Sequence, residues 1–437
     1  MNKGSKLWIE ALDVIPGGNS LLSKRPERFV PGKWPTYYKS AKGCTITTLD
    51  NKKYYDFTQM GVGACIFGYN YEPLNKVVIS SIKKSVNTTL NCPEEVELAK
   101  ILLKNDKFAG SVKFARSGGE AMGIAVRIAR AASGKDKVAF SGYHGWKDWY
   151  LASNIKNSKA LDKQLLPGLS VLGVPSGLKN TSIPFIYNSV ESFEEVVNKN
   201  PDIGVICIEG ARSEYPSKSF IKTIMKIAKK KKIILICDEI TSGWRLANGG
   251  SYKITGIKPD IVVYGKGMGG GFAISAVVGK KKIMDFAQNT FISSSMWTER
   301  VGFVAGVNSI KIFKKIKLWK TINKIGSKIK INWKKIAKKN GLKIEINSVN
   351  ALISFKFLYG EQNLLIETVF ISKMLEYKFL SSTSIYPCLA HTDKYLNMYF
   401  RAIDKTFKFL YEEINFRKFK DFSNIKIRSD AFKRLNN

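Results

Sequence analysis

Lys266 stands between Gly265 and Gly267 at the end of an apolar run, DIVVYG (260 to 265). A lysine placed there loses hydration, which favours the neutral, nucleophilic amine over the ammonium. The flanking glycines leave room for backbone to pass close to a ligand. The pair is not a phosphate-binding P-loop, because neither the spaced upstream glycine nor the following Ser or Thr is present. Asp238 ends a second apolar run, KIILICD (232 to 238), and a carboxylate buried there needs a cationic partner, such as a protonated ring nitrogen. Ser117-Gly118-Gly119-Glu120 lies between a strand-like and a helix-like stretch, where free N–H groups at a helix start can hold a phosphate. Tyr143-His144-Gly145-Trp146 offers flat side chains for stacking on an aromatic ring. Singly, these read as readily as a glycine turn, a strand end or an aromatic loop. Jointly, a Schiff-base lysine, a ring-nitrogen carboxylate, a stacking aromatic and an anion-binding helix start are what pyridoxal 5'-phosphate requires.

The elements that must hold these residues follow from periodicity. Short apolar runs at 111–115, 137–140, 203–209, 232–238, 260–265 and 273–279 read as strands, and helical patterns at 120–133 and 220–232 lie among them. That alternation predicts an α/β domain with a mostly parallel sheet, whose ligands sit at strand ends. In the first of these helices Ala121, Ile124, Ala125, Ile128 and Ala129 share a core-facing stripe, with Arg127 and Arg130 directed away. Two short strands at 44–50 and 53–58, joined at Asp50-Asn51, form a small N-terminal sheet. Beyond residue 310 a long basic amphipathic helix, strands within 343–358, and helices around 363–377 and 395–414 make a smaller α+β domain. The expected organisation is an N-terminal arm (1–62), a large domain (63–310) and a C-terminal small domain (311–437).

A chain of 437 residues, 44% hydrophobic and 12% aromatic, can bury a sizeable core. No N-terminal apolar run follows the basic start, and no stretch approaches the roughly 18 to 20 apolar residues that span a bilayer. A soluble, cytoplasmic protein is expected. The six cysteines form no C-x-x-C pair, so reduced thiols are expected rather than a metal site or disulfides. A net charge of +36 invites a nucleic-acid reading. The lysines, however, alternate with Ile and Asn as solvated helix faces do, and no nucleic-acid motif accompanies them. A non-catalytic basic nucleic-acid-binding protein is the remote alternative.

The motifs IPGGNS (15–20), ARSGGEA (115–121), YHGW (143–146), CDEITSGWR (237–245), KPDIVVYGKGMGGG (258–271), SSSMWTER (293–300) and LAHTD (389–393) occur in an order that resembles the class-III aminotransferases of fold type I. The resemblance is strongest to the glutamate-1-semialdehyde 2,1-aminomutases and their aminotransferase relatives. It implies a Schiff base on Lys266, Asp238 against the pyridine nitrogen, Tyr143 and His144 at the ring, and Ser117, Gly118 and Gly119 at the phosphate. Glu209 matches an acidic position near the cofactor, with Gly210 replacing the usual proline. Thr298 resembles a threonine that reaches the phosphate of the neighbouring subunit, which implies a homodimer. The implied activity is conversion of glutamate-1-semialdehyde to 5-aminolevulinate. The alternative is intermolecular transfer to a keto or aldehyde acceptor, possibly sugar-derived. Departures bear on substrate: Ser23 occupies the offset of the aminomutases' carboxylate-binding arginine, with Lys24 and Arg25 beyond it, and WTER replaces a Gly-Asn-Pro run.

Overall fold

The computed structural model describes residues 2–164 and 167–430. The chain forms two compact units, Met1–Tyr71 with Thr321–Asn437, and Glu72–Lys320.

The smaller unit begins with α1 (Lys3–Val14), capped by the Asn2 side chain on the Ser5 N–H at 2.8 Å. An antiparallel meander follows: β1 (Tyr38–Lys42), β2 (Thr45–Thr48) and β3 (Lys53–Phe57). The turn between β2 and β3 holds Asn51 at φ +59°, a left-handed position that asparagine tolerates better than most residues.

In the larger unit α2 (Glu72–Ile82) and α3 (Pro93–Asn105) lead to β4 (Ser111–Ala115) and α4 (Gly118–Ser133). The sheet continues with β5 (Lys137–Ser141), β6 (Ser182–Pro184), β7 (Ile203–Glu209), β8 (Ile234–Asp238), β9 (Ile261–Tyr264) and β10 (Ser275–Gly279), in the order β4-β10-β9-β8-β7-β5-β6. The inner strands are parallel, while β10 runs antiparallel to both β4 and β9. Every residue of β7 and β8 is buried, as continuous apolar runs covered on both faces should be. α5 (Val190–Lys199) and α6 (Lys218–Lys231) connect the central strands, and α7 (Arg300–Lys315) follows the sheet.

α4 carries the expected apolar stripe and buries Met122 and Val126 as well. Arg127 is exposed, but Arg130 is tied back, its Nε donating to the Asp136 carbonyl at 2.7 Å and its Nη2 to that of Thr181 at 3.3 Å. The long basic helix expected beyond residue 310 is two helices, α7 and α8 (Leu318–Lys339). Lys317, at φ +50°, breaks the path between them.

The remainder of the smaller unit comprises β11 (Ile344–Ile346), β12 (Ile353–Phe357), α9 (Asn363–Glu376), β13 (Phe379–Ser381), β14 (Ser384–Ile385) and α10 (Asp393–Glu412). β13 joins β3 in parallel, so the N-terminal arm and the C-terminal region build one α+β unit. Its core is aromatic: Phe355 meets Trp333, Phe370 and Phe407 edge to face. Basic side chains along α8 are partly compensated, Lys328 by Asp393 and Lys339 by Asp404, both at 2.6 Å. All six cysteines are free thiols, and among the described residues no helix is long and apolar enough to cross a membrane.

Candidate active site

Parallel pairing of β7 with β8 sets Glu209 directly beside Asp238 at the carboxyl ends of two adjacent strands. Asp238 is 4% exposed, and its two oxygens have separate partners. Oδ1 accepts from the Ile240 N–H at 2.9 Å, and Oδ2 lies 2.7 Å from His144 Nδ1. His144 is itself buried, and its Nε2 lies 3.1 Å from the Ser141 carbonyl. A carbonyl can only accept, so Nε2 carries a hydrogen; with a carboxylate on the other nitrogen, the ring faces acceptors at both ends. Burial disfavours its charge, yet the Cys207 sulfur and Asp238 outweigh burial and raise the pKa well above the ordinary histidine value. Acceptors at both ring nitrogens therefore favour the protonated imidazole.

Lys266 opens a short 3-10 turn, Lys266–Gly269, two residues beyond β9. Its backbone sits at φ +41°, a left-handed conformation that costs a non-glycine residue roughly 1–3 kcal/mol. Nζ donates to Thr241 Oγ1 at 2.8 Å. Burial, with Arg212 and Arg245 adding repulsion against the attraction of Asp238 and Glu209, brings the amine down from 10.5 to about 8. The sequence argument from desolvation reaches the same direction.

The start of α4 is a capping box. The Ser117 N–H and Oγ donate to Glu120 Oε2 at 2.8 and 2.9 Å, and Ser117 Oγ accepts from the Glu120 N–H. Ser117 thus has its side chain engaged within the cap, and the first two helical N–H groups are those of Gly118 and Gly119. A Cβ at Gly119 would lie 3.3 Å from the Trp146 ring, and one at Gly145 (φ +99°) would lie 3.0 Å from the Gly119 backbone. The 143–146 loop therefore packs closely over the helix start, where a side chain at either glycine would crowd its neighbour. Ile240 fills the other side: a Cβ at Gly118 would meet its Cδ1 at 2.9 Å and one at Gly265 its Cγ2 at 3.4 Å. One isoleucine thereby lies against both the helix start and the glycine before the lysine. A cradle that excludes side chains, a buried acid and an amine of lowered pKa fit a phosphorylated, aldehyde-bearing pyridine.

Tyr143 is half-buried, and its backbone N–H donates to Glu209 Oε2 at 3.4 Å. Glu209 Oε1 takes the Arg212 Nη1 at 2.6 Å. Gly210 has a local reason: a Cβ there would fall 2.4 Å from Glu239 Oε1. The Glu239 carboxylate is fully buried and held by Ser242, Ser251 and the Tyr252 N–H.

Asp238, His144, Tyr143, Glu209, Lys266 and the glycine pair are thus joined through direct contacts, shared neighbours or mutual electrostatics. Thr298 is placed differently. It is exposed on the Ser295–Thr298 turn, and its hydroxyl donates to the Ser295 carbonyl at 3.1 Å. Arg116 fixes that turn by donating to the Met296 carbonyl at 2.7 Å and to those of Trp297 and Glu299, while Trp297 Nε1 donates to Glu120 Oε1. The sequence reading passed over Arg212, Thr241 and Arg245. An arginine three residues past the acidic end of an otherwise apolar strand is the available signal for the first.

An aminotransferase class-III family model matches residues 31–376. A 3-aminobutyryl-CoA aminotransferase of Cloacimonas acidaminovorans is 28% identical over 92% of this chain and 95% of its own length. A glutamate-1-semialdehyde 2,1-aminomutase of Campylobacter hominis is 34% identical over 80% of this chain and 78% of its own. Among solved structures, the FumI protein of Sphingopyxis sp. MTA144 with pyridoxal phosphate superposes with a TM-score of 0.86 at 20% identity, covering 98% of this chain and 99% of that one.

Proposed function

The chain belongs to the class-III aminotransferases, pyridoxal phosphate enzymes of fold type I, and we propose that it moves an amino group at a site centred on Lys266. The observation that carries this reading is the Lys266 amine, lowered to about 8 and hydrogen-bonded to Thr241, in the field of the Asp238–His144 pair. Pyridoxal phosphate, when bound, supplies an aldehyde that takes up amino groups and a ring that accepts the electron pair left by a departing proton. The N–H groups of Gly118 and Gly119 would hold its phosphate, Asp238 would hold its ring nitrogen, and Tyr143 would cover its ring. His144 keeps Asp238 oriented through the 2.7 Å contact to its Oδ2. Lys266 Nζ accepts and returns the substrate proton, with Thr241 steadying the amine when it is neutral. Borohydride reduction of the loaded protein should leave the cofactor's mass on the peptide containing Lys266 and none there in Lys266→Ala. Label fixed on another residue of the wild type would refute the assignment.

Within that reaction we rank intramolecular transfer on glutamate-1-semialdehyde first, supported by the 34% likeness to an aminomutase. The N-terminal arm favours the second reading, intermolecular transfer. Ser23 occupies the offset of the aminomutase arginine, and Arg25 lies against Gly17, where a Cβ would fall 1.8 Å from its Nη2. 5-Aminolevulinate formed without a keto acid supports the first; a strict requirement for a keto or aldehyde acceptor supports the second. We also infer a homodimer in which Thr298 reaches the partner's phosphate. Exposed Trp146 and Phe291, with Trp297, line a cavity of about 700 Å³ beside the turn that carries Thr298.

A further inference from the structure

We infer that Arg116 is a positioning residue for the neighbouring subunit's cofactor, holding the Ser295–Thr298 turn in the shape that presents Thr298 across the interface. The inference rests on the proposed homodimer in which Thr298 reaches the partner's phosphate. Arg116 directly precedes Ser117, the N-cap of α4, and its own N–H joins the capping box by donating to Glu120 Oε2 at 3.3 Å. From there the side chain crosses to the turn. Nε donates to the Met296 carbonyl at 2.7 Å, Nη1 to that of Ala273 at 3.4 Å, and Nη2 to those of Trp297, at 3.2 Å, and Glu299. The carbonyls just before and just after Thr298 therefore share one nitrogen of the guanidinium.

A planar fork engaged in this way fixes direction as well as distance, which an ammonium on a flexible stem does not. Its place is reserved by packing. A Cβ at Gly302 would fall 2.0 Å from Nη1, and the guanidinium lies 4.9 Å from the centre of the buried Phe303 ring. The WTER run (297–300) supplies the complementary half. Trp297 Nε1 donates to Glu120 Oε1 at 3.2 Å; Glu299 caps α7 by accepting from the Val301 and Gly302 N–H groups, and its Oε2 lies 3.5 Å from Arg116 Nη2. Both neighbours of Thr298 are thus anchored inward to the α4 start, while Thr298 between them is exposed. The anchors all lie within one chain, and the residue they present acts on the next. The effect of Arg116 therefore belongs to the partner's site rather than to its own.

The test uses mixed dimers of two differently tagged copies, isolated by tandem affinity purification. One copy carries Lys266→Ala, so borohydride fixes pyridoxal phosphate only on the intact copy, and label measured over graded cofactor concentrations gives that copy's affinity. Arg116→Gln in the Lys266→Ala copy should weaken the intact copy's affinity about fivefold, whereas Arg116→Gln in the intact copy itself should change it by less than about twofold. Trp297→Phe removes one anchor of the same turn and should act across the interface in the same direction; it decides the matter should Arg116→Gln fail to fold. Thr298→Ala in the Lys266→Ala copy should also weaken the intact copy, and Arg116→Gln added to it should cost nothing beyond the larger single loss. A loss that appears only when Arg116→Gln is in the intact copy would overturn the inference, as would two losses that simply add. Loss from Thr298→Ala with none from Arg116→Gln refutes Arg116 alone. Loss from neither refutes the dimer reading and the inference with it.

Discussion

Removing the Lys266 amine should change how the stability of the cofactor-free protein responds to pH. In the fold the amine titrates near 8, against 10.5 for an ordinary lysine. Below pH 8 both folded and unfolded chains are protonated there, and the fold bears the full cost of a desolvated ammonium. Between pH 8 and 10.5 the unfolded chain holds the proton and the folded chain does not, so stability rises with pH in that window. At about 1.36 kcal/mol per unit, the cost is about 3 kcal/mol at pH 7 and falls to about 1 kcal/mol by pH 10. Lys266→Ala keeps the left-handed backbone position while deleting the titrating group. Urea unfolding of both proteins at pH 7, 8, 9 and 10, compared as a difference, cancels the other lysines. The variant should lead by a margin that shrinks by roughly 2 kcal/mol across the series. A difference that stays constant with pH would show that the amine is not desolvated, and the argument for its nucleophilicity would fall with it.

Three further outcomes are expected. His144→Asn deprives Asp238 of its cation and should weaken retention of pyridoxal phosphate about tenfold, measured by cofactor fluorescence during dialysis; unchanged retention would mean that Asp238 needs no partner. Gly145→Ala forces a Cβ to 3.0 Å from the Gly119 backbone at φ +99°, and should cost roughly 1–3 kcal/mol in urea unfolding together with cofactor affinity. Thr298→Ala should lower cofactor affinity at protein concentrations where sedimentation shows a dimer and leave it unaltered where it shows a monomer; equal loss in both would place its action within one chain.

The strands were legible because burial on both faces turns them into uninterrupted apolar runs: IGVICIE is β7 in full, and KIILICD contains β8. β6 was not, since Ser182–Pro184 is three residues long, includes a proline and lies at the sheet edge. The break at Lys317 was hidden for a different reason. It is a left-handed turn made by a lysine, without the Gly or Pro that ordinarily announces a helix end. In the candidate site, Lys266 and Asp238 stood out as charges at the ends of apolar strands. Arg212 and Thr241 did not, because their relation to the lysine arises only when three separate strand ends meet. Gly210 was legible only as a missing proline, and the buried Glu239 carboxylate supplies its reason.

Ile240 has a consequence beyond filling space. Its side chain lies against Gly118 on one side and Gly265 on the other, while its own N–H steadies Asp238. It works as a gauge block between the anion cradle and the lysine turn, setting the span over which any ligand must match phosphate, ring and reactive carbon at once. A smaller residue there would let the two loops settle closer and a larger one would wedge them apart. On the proposed function, the distance from phosphate to reacting amine would thus depend on one aliphatic side chain that performs no chemistry.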